Sequence, residues 1–225
     1  MNRLNMMQEM LDLQNSMNSK VNPEWKTADY NWKRAAWVEC AELMEHVSYK
    51  WWKKQELNSS QAKLELVDIW HFMLSEAILN DLDSEKLLFS LEEVPLDYYE
   101  GIDTRELIED LVFYLLDEIG GEDYFALFFL ICERLELSFE DMYKLYIGKN
   151  VLNKFRQDNG YKEGTYRKHW APKDVDGDGH LVEDNDFLTM ILSTAPEEVS
   201  LQEYVYKQLE KYYNREITPP LDYQI

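Results

Sequence analysis

Two short stretches, residues 37–46 (WVECAELMEH) and residues 63–72 (KLELVDIWHF), each contain a pair of acidic residues that are three apart and have apolar neighbours. Residues three apart in sequence lie on the same face of an α-helix. Apolar residues surround each acidic pair, so both pairs are predicted near the core-facing surface of a helix. The four carboxylates belong to Glu39, Glu42, Glu65 and Asp68.

The polar segment 54–60 (KQELNSS) separates the two predicted helices, which we assign to residues 29–53 and 61–79. Asn58 followed by Gln61 fits a capping box, which is a signature of a helix N-terminus. In an antiparallel hairpin, each acidic pair would lie about 13 residues from the turn, or about 20 Å along its helix at roughly 1.5 Å per residue. We therefore expect the two pairs to lie at the same level and to face each other.

Four carboxylates that meet in this way need cations, because like charges at short range repel and raise one another's pKa. Carboxylate oxygens are hard ligands, and Mg²⁺ binds through a few of them together with substrate phosphates. The alternative is an ordinary solvated acidic face, since the chain has 44 Asp and Glu residues. Two pairs on apolar faces, symmetric about a turn, are harder to explain as a solvated face, and the spacing alone leaves both the magnesium site and the solvated face open.

The rest of the chain also favours helices, because Gly (8) and Pro (6) are scarce and strict alternation of apolar and polar residues is nearly absent. We predict an all-α helical bundle in a single domain over residues 1–225, with residues 159–186 as a loop. Residues 80–140, whose first part (80–105) is less periodic, are interpreted as a helical insertion that covers the site as a lid. Further helices are predicted over residues 3–18, 106–118, 123–135, 138–155 and 197–213.

The composition excludes several classes of protein. A net charge of −21 repels nucleic-acid backbones, so polymeric nucleic acid is not expected as a partner. The longest apolar run, residues 125–132, is too short to cross a bilayer. Two cysteines in apolar surroundings do not make a secreted disulfide framework. We therefore expect a cytoplasmic protein that does not bind membranes.

Residues 144–173 form a basic segment in this acidic chain, with a net charge of +6 against −27 for the remainder. Arg grips phosphate through two parallel hydrogen bonds, and Lys supplies a mobile positive charge. The alternative is that these side chains offset a helix C-terminus and stay solvated. The candidate phosphate-binding residues are Lys149, Lys154, Arg156, Lys162, Tyr166 and Lys168.

Four segments together resemble the dimeric all-α dUTPase family, within the wider group of all-α nucleotide pyrophosphohydrolases. They are LQNSMN (13–18), ECAELMEH (39–46), ELVDIWHF (65–72) and GKNVLNKFRQDNGYKEGTYRKHW (148–170), and they occur in the order of the family's motifs. The last segment is long and distinctive, whereas the two acidic helices alone would indicate only the wider group.

The resemblance implies that Glu39, Glu42, Glu65 and Asp68 bind Mg²⁺ and that water hydrolyses dUTP, and also dUDP, to dUMP. It implies attack at the β-phosphorus, with Glu39 and Glu42 as catalytic carboxylates and Glu39 orienting or deprotonating the water. The cationic residues and Tyr166 of the basic segment would neutralise charge that develops on the phosphate chain. The resemblance further implies a homodimer.

The uracil base offers two carbonyl acceptors and one N–H donor, which amide side chains can match. Gln14 and Asn18 lie four apart on one helix face, and the resemblance places them at the base together with Asn150 or Asn153. Ordinary surface amides are the alternative. Two further candidates for base or sugar binding, Trp70 and His71, follow the second acidic pair. An aromatic residue there would stack on the base or crowd the 2′ position, or else belong to the core.

A third acidic motif, Asp174–Gly179 (DVDGDG), matches the opening of an EF-hand calcium loop, but Asn185 occupies the twelfth position, where a bidentate Glu is needed. We interpret it as a surface insertion before residues 183–185 (EDN), which again resemble the family pattern. The two alternatives for function are a pyrophosphohydrolase with another pyrimidine substrate, and a non-enzymatic acidic helical protein that binds Ca²⁺ or a partner.

Overall fold

The computed structural model describes residues 2–92, 99–116, 123–170, 182–196 and 199–214. The described part of the chain is built from helices and one two-stranded antiparallel ladder, which confirms the predicted all-α class. The helices are α1 (Arg3–Val21), α2 (Trp32–His46), α3 (Ser59–Leu79), α4 (Ser84–Glu92), α5 (Thr104–Leu116), α6 (Asp123–Arg134), α7 (Phe139–Asp158), α8 (Asp184–Ser193) and α9 (Leu201–Tyr213). The strands are β1 (His169–Trp170) and β2 (Val182–Glu183).

Helices α2 and α3 pack against each other as the predicted hairpin. Asn58 is the N-cap of α3, and its side-chain oxygen accepts a hydrogen bond from the backbone N–H of Gln61. The backbone N–H of Asn58 also donates to the carbonyl oxygen of His46, at 2.9 Å. This bond joins the end of α2 to the start of α3, so the two helices run back along each other.

The chain forms two compact units, Met1–Tyr146 and Ile147–Ile225. In the first unit, α2 packs against α3 and α5, α1 against α3 and α4, and α6 against α3, α4 and α5. The helices of the expected insertion thus share the core of this unit. The role of residues 80–140 as a lid and the single domain over residues 1–225 stay predictions.

An aromatic cluster lies at the centre of the first unit. The fully buried Trp70 stacks on Phe128, with ring centroids 5.2 Å apart and planes at 11°. The rings of Phe125 and Phe129 also contact Trp70, at centroid distances of 6.1 and 5.2 Å. Aromatic pairs of this kind add to the stabilisation that comes from apolar burial.

In the second unit, β1 pairs with β2 through His169 opposite Glu183 and Trp170 opposite Val182. Helix α8 begins directly after β2 and packs against α9. The core beneath these elements is apolar and is made by Val151, Leu152, Phe155, Trp170, Phe187, Leu188, Ile191, Val205 and Leu209.

Several predicted boundaries were wrong. Helix α2 ends at His46 rather than at residue 53, and Ser48 adopts a left-handed conformation (φ 61°) that a continuing helix does not allow. Helix α4 falls in the stretch that we read as less periodic, and α8 begins inside the predicted loop. The Asp174–Gly179 motif lies outside the described residues. No described helix combines the length and the apolar composition that a bilayer span requires.

Candidate active site

Three of the four predicted carboxylates come together. Glu39 and Glu42 lie on α2 and Glu65 lies on α3, and one carboxylate oxygen of each lies within 4.8 Å of the others. Asp68, one turn further along α3, is not a member of this group of three. The carboxylate of Glu65 is 13% exposed and lies 3.6 Å from His46 Nε2. The hairpin predicted from the acidic spacing therefore produces a dense cluster of negative charge.

This cluster fits a hard divalent cation. The ligand atoms on offer are carboxylate oxygens on two rigid helices, which is the chemistry that Mg²⁺ prefers. Burial, assisted by the charge of Glu39, raises the pKa of Cys40 to about 12. This neighbouring thiol is not a member of the carboxylate group, so the ligand atoms of the group are hard oxygens.

The candidate base-binding amides form a buried network in the first unit. The amide nitrogen of Gln14 donates to Asn18 Oδ1 and to Ser75 Oγ, both at 3.0 Å. Asn18 Nδ2 also donates to Ser75 Oγ, at 2.9 Å. On the other side, Gln14 Oε1 lies 2.8 Å from His71 Nδ1 and 3.0 Å from the hydroxyl oxygen of Tyr146. Each polar atom of the Gln14 side chain therefore has protein partners.

This network holds its side chains in fixed orientations. The Ser75 hydroxyl donates to the backbone carbonyl oxygen of His71. The Tyr146 hydroxyl lies 2.9 Å from the backbone carbonyl oxygen of Met10. The His71 ring lies over the Tyr146 ring, with a centroid distance of 4.4 Å. Gln14 and Asn18 are therefore not the ordinary surface amides of the alternative interpretation, and His71 is buried with them. Trp70, by contrast, has the surroundings expected of the core.

Arg156 is tied to a buried carboxylate in the second unit. Its Nε and Nη2 donate to the two oxygens of Asp184, each at 2.8 Å. The Tyr166 hydroxyl donates to Asp184 Oδ2 at 2.9 Å. Burial, followed by the negative charge of Asp184, raises the pKa of Tyr166, so this phenol stays neutral. Two of the predicted phosphate-binding side chains thus share one anionic partner.

The other predicted cations differ in their surroundings. Lys149 is almost fully buried, and its ammonium donates to Asn185 Oδ1 at 3.2 Å. Lys154 pairs with Asp158 at 2.6 Å, and Lys168 lies 3.4 Å from Glu183.

Lys162 is exposed, whereas the candidate base-binding residues Asn150 and Asn153 are buried and partly buried, respectively. Asn153 accepts a bond from Arg156 Nη1 at 3.2 Å, and in the described part of the chain the buried amide nitrogen of Asn150 has no hydrogen-bond partner. Carboxylates and amides thus neutralise or orient much of the basic segment.

Four residues of these networks were not among the site residues predicted from the sequence. Ser75 lies one helical turn after His71, so its face was predictable although its role was not. Tyr146 reaches Gln14 across 132 residues of chain, and no local pattern indicates that contact. Asp184 and Asn185 were noted only as part of a family-like triplet.

Comparison with protein families agrees with this geometry. A family model described as dUTPase matches residues 6–161, which is more than half of the chain and includes all of α2, α3 and α7. A search of curated proteins found no match. The family match supports an enzyme over the non-enzymatic calcium-binding alternative. The chain belongs to the dUTPase family, and its activity is that of a dUTP diphosphatase.

Proposed function

We propose that this protein hydrolyses dUTP, and also dUDP, to dUMP in a reaction that depends on Mg²⁺. Water attacks the β-phosphorus and forms a new P–O bond there, while the bond from that phosphorus to the oxygen that bridges the α- and β-phosphates breaks. The leaving group is dUMP, and the water oxygen ends in the pyrophosphate formed from dUTP or in the phosphate formed from dUDP. The observation that carries the proposal is the group formed by Glu39, Glu42 and Glu65, with ligand oxygens within 4.8 Å of one another. Removal of dUTP by this reaction would limit uracil incorporation into DNA.

The four acidic residues share one role in this proposal, and Glu39 has a second. Glu39, Glu42, Glu65 and Asp68 hold the metal, and Glu39 also orients or deprotonates the attacking water. Bound Mg²⁺ would supply Lewis-acid stabilisation of charge on the phosphate oxygens. Asp68 joins as a ligand through its position one turn after Glu65, on the same face of α3.

Base recognition is assigned to the amide network of the first unit. Gln14, Asn18 and His71 are held by Ser75 and Tyr146, and such pre-orientation lowers the entropy lost when a ligand binds. The amide of Asn18 can serve both as donor and as acceptor for uracil, and Asn150 or Asn153 is a further amide candidate.

The phosphate chain is assigned to the cations of the basic segment. Lys149, Lys154, Arg156, Lys162 and Lys168 would offset the negative charge of the substrate in a chain whose net charge is −21. A homodimer in the cytoplasm completes the proposal.

A substrate-range assay with product identification tests this function. Purified protein would be incubated with dUTP, dUDP, dCTP, dTTP and UTP, in MgCl₂ or in EDTA, and the products would be identified by ³¹P NMR and chromatography. We expect dUMP from dUTP and dUDP in MgCl₂ only. Faster turnover of dCTP or dTTP would favour the alternative pyrimidine substrate, and equal turnover in EDTA would contradict metal dependence.

A further inference from the structure

Asp184 is a buried carboxylate to which no role has yet been given. It is the first residue of α8, its side chain is 0% exposed, and its backbone N–H donates to the carbonyl oxygen of Lys168 at 3.0 Å. Its two oxygens accept three hydrogen bonds, two from Arg156 and one from Tyr166. A carboxylate removed from water in this way needs such partners to remain charged.

The pairing determines which edge of the guanidinium remains for another ligand. A guanidinium has two edges that can bind an oxyanion with two parallel bonds, one formed by Nε and Nη2 and one by Nη1 and Nη2. Asp184 occupies the first edge of Arg156. Amide oxygens lie along the second edge, with Asn153 Oδ1 at 3.2 Å from Nη1 and Asn185 Oδ1 at 3.4 Å from Nη2.

The second edge also has a further cation beside it. Asn185 Oδ1 accepts a hydrogen bond from Lys149 Nζ at 3.2 Å, so one amide oxygen lies between two positive groups. A phosphate oxygen carries more negative charge than an amide oxygen and forms stronger bonds with cationic donors. Phosphate would therefore replace the amide oxygens of Asn153 and Asn185, whereas it would not replace the carboxylate of Asp184.

We propose that Asp184 is a positioning residue that holds Arg156 so that its Nη1–Nη2 edge receives a phosphate group of the substrate. This inference rests on the proposed function, because it takes Arg156 as a phosphate-binding residue. Arg156 is 13% exposed, so its side chain has little freedom once Asp184 holds it. Fixed orientation before binding is what makes a phosphate clamp effective.

The same geometry gives Tyr166 a different role from the one predicted. Its hydroxyl can donate one hydrogen bond, and Asp184 Oδ2 accepts that bond. Its ring stacks on Tyr213 with centroids 5.3 Å apart and planes at 7°, which fixes the direction of the hydroxyl. Tyr166 thus braces Asp184, and its contribution to phosphate binding is indirect.

The test compares Asp184→Asn with Asp186→Asn, a matched control whose exposed side chain lies on the same helix. Two quantities would be measured for each folded variant, kcat and KM for dUTP, and the Kd for inorganic pyrophosphate by calorimetry. For Asp184→Asn we expect kcat/KM to fall about 10- to 100-fold and pyrophosphate to bind about tenfold more weakly. Asp184→Glu, which keeps the charge, should recover part of both losses, and Asp186→Asn should match the wild type.

Wild-type values of both quantities in folded Asp184→Asn would overturn the inference. If that variant does not fold, Tyr166→Phe replaces it, because this change removes one of the three donors and keeps the ring. A several-fold weaker pyrophosphate affinity of Tyr166→Phe supports the inference, and an unchanged affinity refutes it. Failure of the proposed function can be told apart from failure of this inference. If the proposed function fails, the wild type itself does not hydrolyse dUTP. The role of Asp184 is tested separately, because pyrophosphate binding is measured without turnover.

Discussion

Replacing Glu65 with Gln should have opposite effects on stability with and without magnesium. Without a metal, Glu65 lies in a group of three carboxylates whose oxygens are within 4.8 Å of one another. Gln has almost the same shape and no charge, so the change removes two repulsions and little packing. With Mg²⁺ present, the same change removes a ligand that we propose.

The size of the effect follows from Coulomb's law. At 4.8 Å, two unit charges repel by about 1 kcal/mol in water and by about 3.5 kcal/mol at an effective dielectric constant of about 20. Glu42 is exposed, so its repulsion is near the lower value, and the contact of Glu65 with His46 offsets part of the gain. We expect a net stabilisation of about 1–2 kcal/mol without metal, which corresponds to a Tm about 2–8 °C higher for a chain of this size.

With magnesium present, the wild type should be more stable than Glu65→Gln. A ligand that binds only the folded state stabilises it by about 2.7 kcal/mol at 100 times its Kd, and the variant loses most of that gain. Thermal and urea unfolding would be followed by circular dichroism at pH 8 in EDTA and in MgCl₂, and dUTP hydrolysis would be assayed in parallel. Glu76→Gln is the matched control, because it changes the same residue type on the same helix, away from the carboxylate group.

Two results would refute this reasoning. One is a Glu65→Gln variant that is less stable than the wild type in EDTA, which would mean that the three carboxylates do not repel one another in the folded state. The other is equal stabilisation of the wild type and the variant by MgCl₂, together with unchanged hydrolysis.

Three further predictions concern other parts of the first unit. The Arg105 side chain lowers the pKa of Asp103 to about 2, so the charged Asp103 stabilises the fold above its usual pKa, and this stability is lost as the pH falls towards 2. In urea unfolding, Asp103→Asn should therefore lower the free energy of unfolding by about 0.5–1 kcal/mol at pH 7 and leave it unchanged near pH 2. Equal losses at both pH values would refute this. Cys40 and Cys132 are buried, so mass spectrometry should find them alkylated by iodoacetamide only after denaturation, and rapid labelling of the native protein would contradict their burial. Trp70→Ala should lower the free energy of unfolding in urea by about 3–5 kcal/mol, because it leaves a cavity in the aromatic cluster. A raised KM without loss of stability would instead indicate that Trp70 contacts the substrate.

Much of the catalytic half of the candidate site could be predicted from the sequence. The i, i+3 spacing of Glu39 and Glu42 places them on one face of α2, and the capping residue Asn58 marks where the chain turns back. These are local properties, because helical periodicity and capping depend on residues within a few positions of one another. The meeting of Glu65 with the first pair follows from them by counting residues.

The sequence did not predict the partners of the amides and of the cations. His71 and Ser75 reach Gln14 across 57 and 61 residues, and Asp184 reaches Arg156 across 28. No local pattern encodes such pairs, because they depend on how complete helices pack.

The sequence by itself thus determined the helical class, the α2–α3 hairpin and the faces that carry the acidic residues. Only the tertiary structure decided that Asp68 is not a member of the compact carboxylate group, that Gln14 is fully hydrogen-bonded within a network, and that Arg156 is held by a buried anion. The physical reason is that helical propensity and periodicity act over a few residues, whereas burial and hydrogen bonding between distant residues are decided by the packing of the whole chain.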